Sequence, residues 1–266
     1  MLKNHYKKEL NIKNLLRKGS RGKGVKKAQE WLNLWKYYDP KWRYACGIDG
    51  IFGPNTEKTV RGFQEFKGLE VDGIVGPVTF QALTWPMRLA FAPLHKSDLA
   101  LHELIVAYAN MHLTSVAREL NQRNEGPWVR AYMDGHEGRP WAWCMGFVQT
   151  VYDQAFGALD KKFTAFMPHT YSCDVVGHHV LQNGSLIRKK DLPGRIGEVK
   201  PGSIFLIVKT PYDWTHTGII TGVDGDCFHT IEGNTNDEGV REGFEVCQRI
   251  RDFKQGKVDV VVLDEK

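Results

Sequence analysis

The sequence lacks any long apolar run. No stretch approaches the roughly 18 consecutive apolar residues of a membrane-spanning helix, so the sequence predicts no membrane insertion. The first 27 residues also lack the short apolar core of a secretory signal. If the protein acts outside the cytoplasm, we therefore expect a delivery route other than an ordinary signal peptide.

Paired cysteines are also missing. The chain has five cysteines, an odd number, and no C-x-x-C motif. This excludes a disulfide framework that uses every cysteine and gives no support for a zinc site. At least one thiol is left over, and we expect chemistry without a metal or another cofactor. The five are Cys46, Cys144, Cys173, Cys227 and Cys247.

Acidic residues are scarce near the N-terminus. Residues 1–27 hold ten lysines and arginines but only one acid, Glu9, whereas the whole chain has a net charge of only +5. A basic arm of this kind suits an anionic surface such as nucleic acid, a membrane or a cell envelope. A solvated, frayed terminus explains the pattern equally well.

Residues 14–85 contain an internal repeat. Ile48–Thr56 reads IDGIFGPNT and Val71–Thr79 reads VDGIVGPVT. In each copy Asp-Gly and Gly-Pro predict turns, and the threonine is suited to capping a short helix. Apolar residues with helical spacing surround these loops, which predicts three short helices. They are Val25, Ala28, Leu32 and Trp35, and then Val60, Phe63 and Phe66.

This segment resembles the type 1 peptidoglycan-binding domain. The family's opening Lys/Arg-Gly-Ser-x-Gly, its V-x-x-x-Q helix and both of its D-G-I-x-G-P-x-T loops are present. The connection KYYDPKWRYACG departs from the family by being longer and more aromatic. The resemblance implies a small helical module with peptidoglycan as its partner.

The rest of the chain has a different pattern. Residues 86–97 contain two prolines and no clear periodicity, which predicts a linker, and helical patterns follow from residue 98. After about residue 198 come five short β-rich runs separated by turn residues. Helices followed by an antiparallel sheet predict an α+β fold. The runs are IGEVKPGSIFLIVK, THTGIITGV, CFHTIEGNT, FEVCQRIR and KVDVVVLD.

Cys144 lies in the stretch RPWAWCMGFVQTVYDQAF, where Pro140 marks the approach to an apolar helix. The cysteine therefore falls in or beside the first helical turn, where free N–H groups and the helix dipole favour a thiolate. The same N–H groups can hold the oxygen of a tetrahedral intermediate. Burial as a small apolar residue is an equally good interpretation of the position alone.

A base for this thiol is predicted on the hairpin around residues 214–236. A three-residue loop with Gly225 left-handed pairs residues whose numbers sum to 448, and a loop one residue later gives 450. Both registers put His216, Glu232 and Asn234 on one face. A two-residue Asp-Gly turn gives 449 instead and sends Glu232 to the opposite face.

The motifs W-C-x-x-F-V, PGSIFLI, THTGIITGVDGD and HTIEGNT together resemble the CHAP domain. This is a papain-like, NlpC/P60-related class of cysteine, histidine-dependent amidohydrolases and peptidases. The resemblance covers about residues 98–262 and is poor between 158 and 195. It implies Cys144 as nucleophile, His216 as general base and then acid, Glu232 as the residue that orients the imidazole, and Asn234 as a polar helper.

Residues near the nucleophile suggest further contacts. Trp141 and Trp143 flank Cys144 and are expected to bind a sugar–peptide chain, although core packing explains them equally well. The loop DGHEG resembles the calcium loop of some CHAP domains. Its two acids, Asp134 and Glu137, are too few to predict an ion there.

Together these patterns predict an α+β protein with a basic arm over residues 1–13, a three-helix peptidoglycan-binding domain over 14–85, a linker over 86–97 and a CHAP-like domain over 98–266. The predicted function is hydrolysis of an amide bond in the cell-wall stem peptide by a Cys-His-Glu(-Asn) mechanism. Three alternatives remain: cleavage between muramic acid and the first alanine, acyl transfer to an amine, and a non-catalytic wall-binding role.

Peptidoglycan is the expected partner of a monomeric chain, with no nucleic acid and no membrane insertion. We expect action at the cell wall or in the periplasm. A phage endolysin would reach it through holin pores, and an antibacterial effector would be injected by a secretion machine. In the second case an immunity protein is the expected further partner.

Overall fold

The computed structural model describes residues 1–94, 99–235, 243–254 and 256–263, and these residues form a mixed helical and sheet structure. The helices are α1 (Tyr6–Glu9), α2 (Lys23–Tyr38), α3 (Pro54–Phe66), α4 (Pro77–Leu83), α5 (Trp85–Ala90), α6 (Leu101–Thr114), α7 (Pro127–Tyr132), α8 (Cys144–Ala158), α9 (Cys173–Gln182) and α10 (Leu192–Arg195). The strands are β1 (Leu186–Ile187), β2 (Ile204–Thr210), β3 (Asp213–Asp224), β4 (Cys227–Thr235), β5 (Glu245–Asp252) and β6 (Val258–Val261). Within the described ranges, no helix combines the length and the apolar composition needed to cross a bilayer.

The repeated loops of the N-terminal module are organised by two buried glutamines. Gln64 of α3 donates to Asp72 Oδ1 at 2.7 Å, to the carbonyl of Ile74 at 3.0 Å and to Thr79 Oγ1 at 3.1 Å. Its own carbonyl accepts from Gly73 N–H at 2.8 Å. Gln29 of α2 makes the equivalent bonds to the first loop. One amide side chain therefore ties each loop to the preceding helix.

The three predicted helices of this module are α2, α3 and α4, but the threonines do not cap them. Both α3 and α4 begin at a proline, and the cap residues are Gly53 and Gly76. Proline suits this position because its missing N–H would have no helical partner. Thr56 and Thr79 lie inside the first turn and accept the glutamine amides instead, so the capping prediction is wrong.

All five predicted strands are present in one antiparallel sheet of order β1-β6-β2-β3-β4-β5. The two-residue strand β1 was not predicted, and it pairs with β6 at the edge of the sheet. Helix α8 packs on β3 and β4, and α9 packs on β3. Gly233 lets β4 approach α8 closely, because a Cβ there would lie 2.7 Å from that of Phe147. The α+β layout is thus confirmed at this level.

The larger part of the apolar core extends from the N-terminal module into the later helices and the sheet. One cluster of buried side chains includes Trp31 of the N-terminal module together with Trp128 and Phe147 of the later helices. A smaller cluster, which includes Phe205, Ile220 and Phe228, is separate from it. The ring of Trp31 contacts that of Trp128 edge-on, with centroids 6.2 Å apart. Burial of apolar surface therefore joins the module to the remainder.

The first residues are folded onto the rest of the protein. Lys3 is fully buried, and its Nζ lies 3.0 Å from Asp134 Oδ2. The backbone N–H groups of Leu2 and Lys3 donate to the carboxylate of Asp153 on α8. The prediction that the basic arm contacts an external anionic surface is therefore wrong for Leu2 and Lys3. The alternative of a frayed terminus is wrong there as well. A buried ammonium group requires a partner, and Asp134 supplies it.

The interval predicted as a linker, residues 86–97, contains most of α5. Pro86 occupies its first turn, and Met87 and Ala90 are buried. Residues 95–97 of that interval lie outside the described residues. The proposed limits of the domains stay a prediction.

Candidate active site

Cys144 is the first residue of α8, as its position after Pro140 predicts. It is 5% exposed, and none of the five cysteines forms a disulfide. The N–H groups of a first helical turn have no acceptor inside the helix. The N–H of Met145 contributes to a lowered pKa of the Cys144 thiol. The start of α8 therefore places the buried sulfur of Cys144 beside backbone N–H groups that have no acceptor inside the helix.

The β3–β4 hairpin has a register that only partly follows the prediction. The strands are joined by a two-residue turn, Gly225-Asp226, with Gly225 left-handed at a φ of 54°. Pairs beside this turn sum to 451, and beyond an irregularity between Ile220 and Gly222 the sum becomes 450. The predicted sum of 448 is wrong, and 450 is confirmed. The turn alone would give the odd sum 451 along the whole hairpin. One extra residue in β3, Thr221, changes the sum to the even value 450 for the pairs farther from the turn.

His216 itself lies in a second irregularity of β3. Between the pairs Leu206–Thr217 and Val208–Trp214, β3 has one residue more than β2. Such a bulge bends the strand and redirects side chains, and bulges are frequent beside active sites. Strand alternation alone therefore does not set the direction of the imidazole.

Glu232 and His216 nevertheless meet, with 2.9 Å between His216 Nε2 and Glu232 Oε2. Thr230 Oγ1 donates to Glu232 at 2.6 Å, and the guanidinium of Arg251 donates to both carboxylate oxygens. Although burial acts against the charged form, these hydrogen bonds lower the pKa of Glu232 to about 2. The carboxylate is therefore ionised at neutral pH and faces two cations.

The Cys144 thiol also interacts with His216. A hydrogen bond from Cys173 has the largest effect on its pKa, and together with His216 it outweighs burial and lowers the pKa of Cys144 well below the usual value. Burial lowers the pKa of His216, but Cys144 and Glu232 more than compensate and raise it to about 9. These opposite shifts favour a thiolate on Cys144 and an imidazolium on His216.

Two polar side-chain atoms of the predicted site residues are buried without a standard hydrogen bond among the described residues. Nδ1 of His216 is buried and has no partner of hydrogen-bond geometry among the described residues. The same holds for Oδ1 of Asn234, which is 1% exposed. Most buried polar atoms are paired. Two unpaired atoms in one small region therefore mark a place where a further group can bind.

Asn234 is held in an unusual backbone conformation. Its φ is 58°, in the left-handed region, and the β4–β5 ladder shifts between Glu232 and Thr235. The N–H of Gly243 donates to its backbone carbonyl at 3.2 Å. Non-glycine residues in this conformation carry strain that is common at functional sites.

The two tryptophans beside Cys144 have different surroundings. Trp143 is fully buried, its indole N–H donates to Glu119 at 2.8 Å, and its ring stacks on Tyr132. The prediction that Trp143 lines a cleft is therefore wrong, because its side chain has no free surface. Trp141 is partly exposed and stacks on His136, with centroids 4.1 Å apart.

The DGHEG loop uses its acids for contacts within the chain. Asp134 contacts Lys3, His169 and Tyr171, and Arg130 donates to Glu137 at 2.7 Å. Each carboxylate is therefore already matched by a cation. In the part of the chain that the structure describes, no group of three or more His, Cys, Asp or Glu side chains is arranged to hold a metal ion.

Several residues around the site were missed by sequence reasoning. They are Glu119, Cys173, Thr230 and Arg251. Thr230 was detectable, because it lies two positions before Glu232 on the same strand. Arg251 required the pairing of β5 with β4, and Cys173 falls in the stretch that matches the family poorly. No local pattern indicates either residue.

Comparison with known proteins supports the wall-binding assignment of the N-terminal module. Residues 21–83 match a family described as a putative peptidoglycan binding domain. The N-acetylmuramoyl-L-alanine amidase CwlL of Bacillus licheniformis is 41% identical over 68 residues, which is 26% of this chain and 18% of the relative. The zinc D-Ala-D-Ala carboxypeptidase of Streptomyces albus G is 40% identical over 90 residues, or 31% and 34%.

A probable N-acetylmuramoyl-L-alanine amidase of Bacillus licheniformis is also 41% identical over 68 residues. The chain spans no more than about a third of the length of these three relatives, at 18%, 34% and 18%. The protein thus carries a peptidoglycan-binding domain near its N-terminus and is homologous, over part of its length, to peptidoglycan amidases.

Proposed function

We propose that the protein is a peptidoglycan hydrolase of the CHAP type, with a papain-like catalytic domain over residues 98–266 that cleaves an amide bond of the stem peptide. The observation that supports this most is the ionised pair formed by Cys144 and His216, with Glu232 on the far imidazole nitrogen. A thiol nucleophile requires a base and a group that orients the base, and this arrangement provides both.

The reaction that this site supports is acyl transfer to water. The Cys144 thiolate attacks an amide carbonyl, and N–H groups of the first α8 turn stabilise the oxyanion. The His216 imidazolium gives its proton to the leaving amine, which leaves a thioester on Cys144. Neutral His216 then takes a proton from water, the resulting hydroxide attacks the thioester, and the acid and the thiolate are released.

Glu232 holds the proton-bearing Nε2 of the imidazole and stabilises its charge. Thr230 and Arg251 fix that carboxylate in turn. The unpaired Oδ1 of Asn234 is suited to accept a hydrogen bond from the substrate or the attacking water. Trp141, which has exposed ring surface, is the proposed contact for the sugar–peptide chain.

The N-terminal module supports the cell wall or the periplasm as the place of action, because it matches a wall-binding family. Peptidoglycan is therefore the proposed substrate as well as the binding partner. Release as an endolysin and injection as an antibacterial effector both agree with this assignment, and an immunity protein is the proposed partner in the second case.

The test is mass spectrometry of fragments released from purified sacculi. We expect the wild-type protein to release fragments with a new amine and a new carboxyl end, and Cys144→Ala to lose at least about 10³-fold in rate. Cys46→Ala is the matched control, because Cys46 lies in the wall-binding module. Cys144→Ala should still sediment with sacculi through that module.

Each rival function predicts a different result. Fragments released equally by Cys144→Ala would contradict the thiol mechanism, and a wild-type protein that binds sacculi without releasing fragments would indicate a non-catalytic role. Products joined to an added amine acceptor would indicate acyl transfer. The masses of the fragments would separate cleavage at muramic acid from cleavage within the peptide.

A further inference from the structure

The candidate active site contains a second thiol. Cys173 is the first residue of α9 and is 7% exposed, and its side chain is hydrogen-bonded to that of Cys144. Neither cysteine forms a disulfide, and each is the first residue of a helix. The proposed hydrolysis assigns no role to Cys173, because one thiol, one imidazole and one carboxylate complete that reaction.

The first turn of α9 is fastened to the strand that carries His216. Asp174 follows Cys173 directly on α9, and its Oδ1 accepts a hydrogen bond from the N–H of Trp214 at 2.5 Å. Gly177 allows the closest approach, since a Cβ there would lie 2.4 Å from the ring of Trp214. The start of α9 is therefore attached to Trp214, which lies two residues before His216 on β3.

The chain just before α9 is fastened to the helix that carries Cys144. Gln149 of α8 donates to the carbonyl of Pro168 at 2.8 Å and accepts from Thr170 N–H at 3.2 Å. The attachment of α9 to β3 and the attachment of the preceding chain to α8 thus both stabilise the contact between the two thiols. A disulfide needs close Cβ atoms and an S–S bond of about 2.05 Å, so its formation requires these two neighbouring side chains to move together.

The other three cysteines lie on other elements of the fold. Cys46 lies in the N-terminal module, where burial raises the pKa of its thiol to about 11. Cys227 and Cys247 lie on β4 and β5. Oxidation follows thiolate character, and a reversible outcome requires a resolving thiol next to the oxidised one.

We propose that Cys173 is the resolving thiol for Cys144, so that peroxide converts the pair into a reversible intramolecular disulfide. In the first step the Cys144 thiolate attacks a peroxide oxygen and the O–O bond breaks. This gives Cys144 sulfenic acid and hydroxide, which takes up a proton to form water. In the second step the Cys173 sulfur attacks the sulfenic sulfur, the S–S bond forms, and the leaving hydroxide departs as water with the proton of the Cys173 thiol.

Overall, two thiols are oxidised to a disulfide and one peroxide is reduced to water. An external dithiol reduces the disulfide back to two thiols. While the disulfide exists, Cys144 cannot attack a carbonyl, and it is protected from irreversible oxidation to sulfinic acid. This inference requires the reactive thiolate of Cys144 but not the proposed hydrolysis. Disulfide formation and wall hydrolysis can therefore be tested independently.

The test treats the reduced full-length protein with equimolar hydrogen peroxide and maps its peptides by mass spectrometry. We expect a linked pair of peptides that contain Cys144 and Cys173, and complete loss of this pair after dithiothreitol. Mapping the wild-type protein decides the question even if a variant fails to fold. A disulfide between other cysteines, or sulfinic acid at Cys144 without any linked peptide, would overturn the proposal.

Variants provide the second arm of the test. In Cys173→Ser we expect loss of the dithiothreitol-reversible fraction and accumulation of sulfenic acid, detected as a dimedone adduct, and then sulfinic acid at Cys144. Cys227→Ser, which removes a cysteine outside this contact, should behave as the wild-type protein. Equal recovery of the Cys144 thiol in Cys173→Ser and in the wild-type protein would contradict a resolving role. A linked pair in a protein that releases nothing from sacculi would leave this inference standing and reject the proposed function.

Discussion

Two cysteines of this chain show how surroundings decide the chemistry of one residue type. Burial and the charge of Asp49 raise the pKa of Cys46 to about 11. Cys144 is also buried, but hydrogen bonds from Cys173 and His216 lower its pKa well below the usual value. Burial favours the neutral thiol in both cases. Only the partners differ, and they make Cys144 an anion.

The charge state of Cys144 can be measured by alkylation with iodoacetamide. Because the thiolate is the reactive form, an ordinary thiol of pKa about 8.5 slows about tenfold for each pH unit below that value. We expect the Cys144 rate to fall much less steeply below pH 8 than that of an ordinary thiol, whereas Cys46 reacts far more slowly throughout. Peptide mapping after timed quenching gives both rates from one sample.

The sign of the pH dependence follows from the two directions of shift. Cys144 remains an anion until the pH falls to its lowered pKa, and His216 remains a cation until the pH rises through about 9. Alkylation of Cys144 that falls tenfold per unit below pH 8, parallel to a model thiol, would be incompatible with the ionised pair.

At the scale of single elements, small residues and bulges bring the functional groups together. Gly218 lies across from Glu232, and a Cβ there would be 2.6 Å from Glu232 Cγ and 2.8 Å from Phe205 Cε1. The bulge beside His216 adds to this local shaping of β3. The strand therefore leaves open the space that the Glu232 side chain occupies.

Gly218→Ala should destabilise the protein by about 1–3 kcal/mol, because the added methyl group overpacks the site. It should also lower the rate of wall hydrolysis by moving Glu232 away from His216. Gly222→Ala is the matched control on the same strand, since a Cβ there meets nothing within 4 Å. Urea unfolding and sacculus hydrolysis measure the two effects, and equal results for both variants would reject this account.

The glutamine-centred loops provide a second test at this scale. Gln64→Ala removes four hydrogen bonds and leaves buried groups of Gly73 and Thr79 without that partner. We expect a loss of about 2–3 kcal/mol in the free energy of unfolding. Gln81→Ala, at an exposed position of α4, should change it by less than about 0.5 kcal/mol. Comparable losses in the two variants would show that the loop does not depend on Gln64.

At the scale of the whole molecule, one arginine joins three parts of the chain. Arg130 of α7 contacts Glu9 of α1 at 2.9 Å, Glu30 of α2 at 2.6 Å and Glu137 at 2.7 Å. Burial acts against both carboxylates, yet the pKa of Glu9 falls to about 2 whereas that of Glu30 rises. A hydrogen bond from His5 adds to that from Arg130 at Glu9 but not at Glu30, so the two carboxylates are stabilised unequally.

This network predicts that the two parts of the protein unfold together. Arg130→Leu leaves three acids facing each other without their common cation, and we expect a loss of about 3–5 kcal/mol. Because Glu30 belongs to the N-terminal module, we also expect the single unfolding transition to divide. Urea unfolding followed by tryptophan fluorescence and by circular dichroism measures both changes.

Arg195→Leu is the matched control for the loss of an arginine. Arg195 pairs with Glu198 at 2.7 Å, but 42% and 50% of the two side chains are exposed. Such exposed pairs contribute little to stability, because solvent screens their charges. If Arg130→Leu changed stability no more than Arg195→Leu, the contact between the module and the remainder would not depend on this network.

The sequence by itself determined the local structure of this protein. The Asp-Gly and Gly-Pro repeats, the apolar spacing of α2 and α3, the start of α8 at Cys144 and five of the six strands all depend on neighbours within a few positions. Turn residues and periodicity report such short-range preferences directly. For the same reason, the sequence alone is sufficient to indicate Cys144, His216 and Glu232 as candidates.

Only the tertiary structure decided how these elements meet. The extra residue at Thr221, the bulge at His216, the approach of Arg251 and Cys173, the burial of Trp143 and the docking of Lys3 all depend on distant segments. Their positions follow from close packing and from the need to pair buried charges, which act across the fold rather than along the chain. A sequence pattern in one segment does not indicate which residue of a distant segment will contact it.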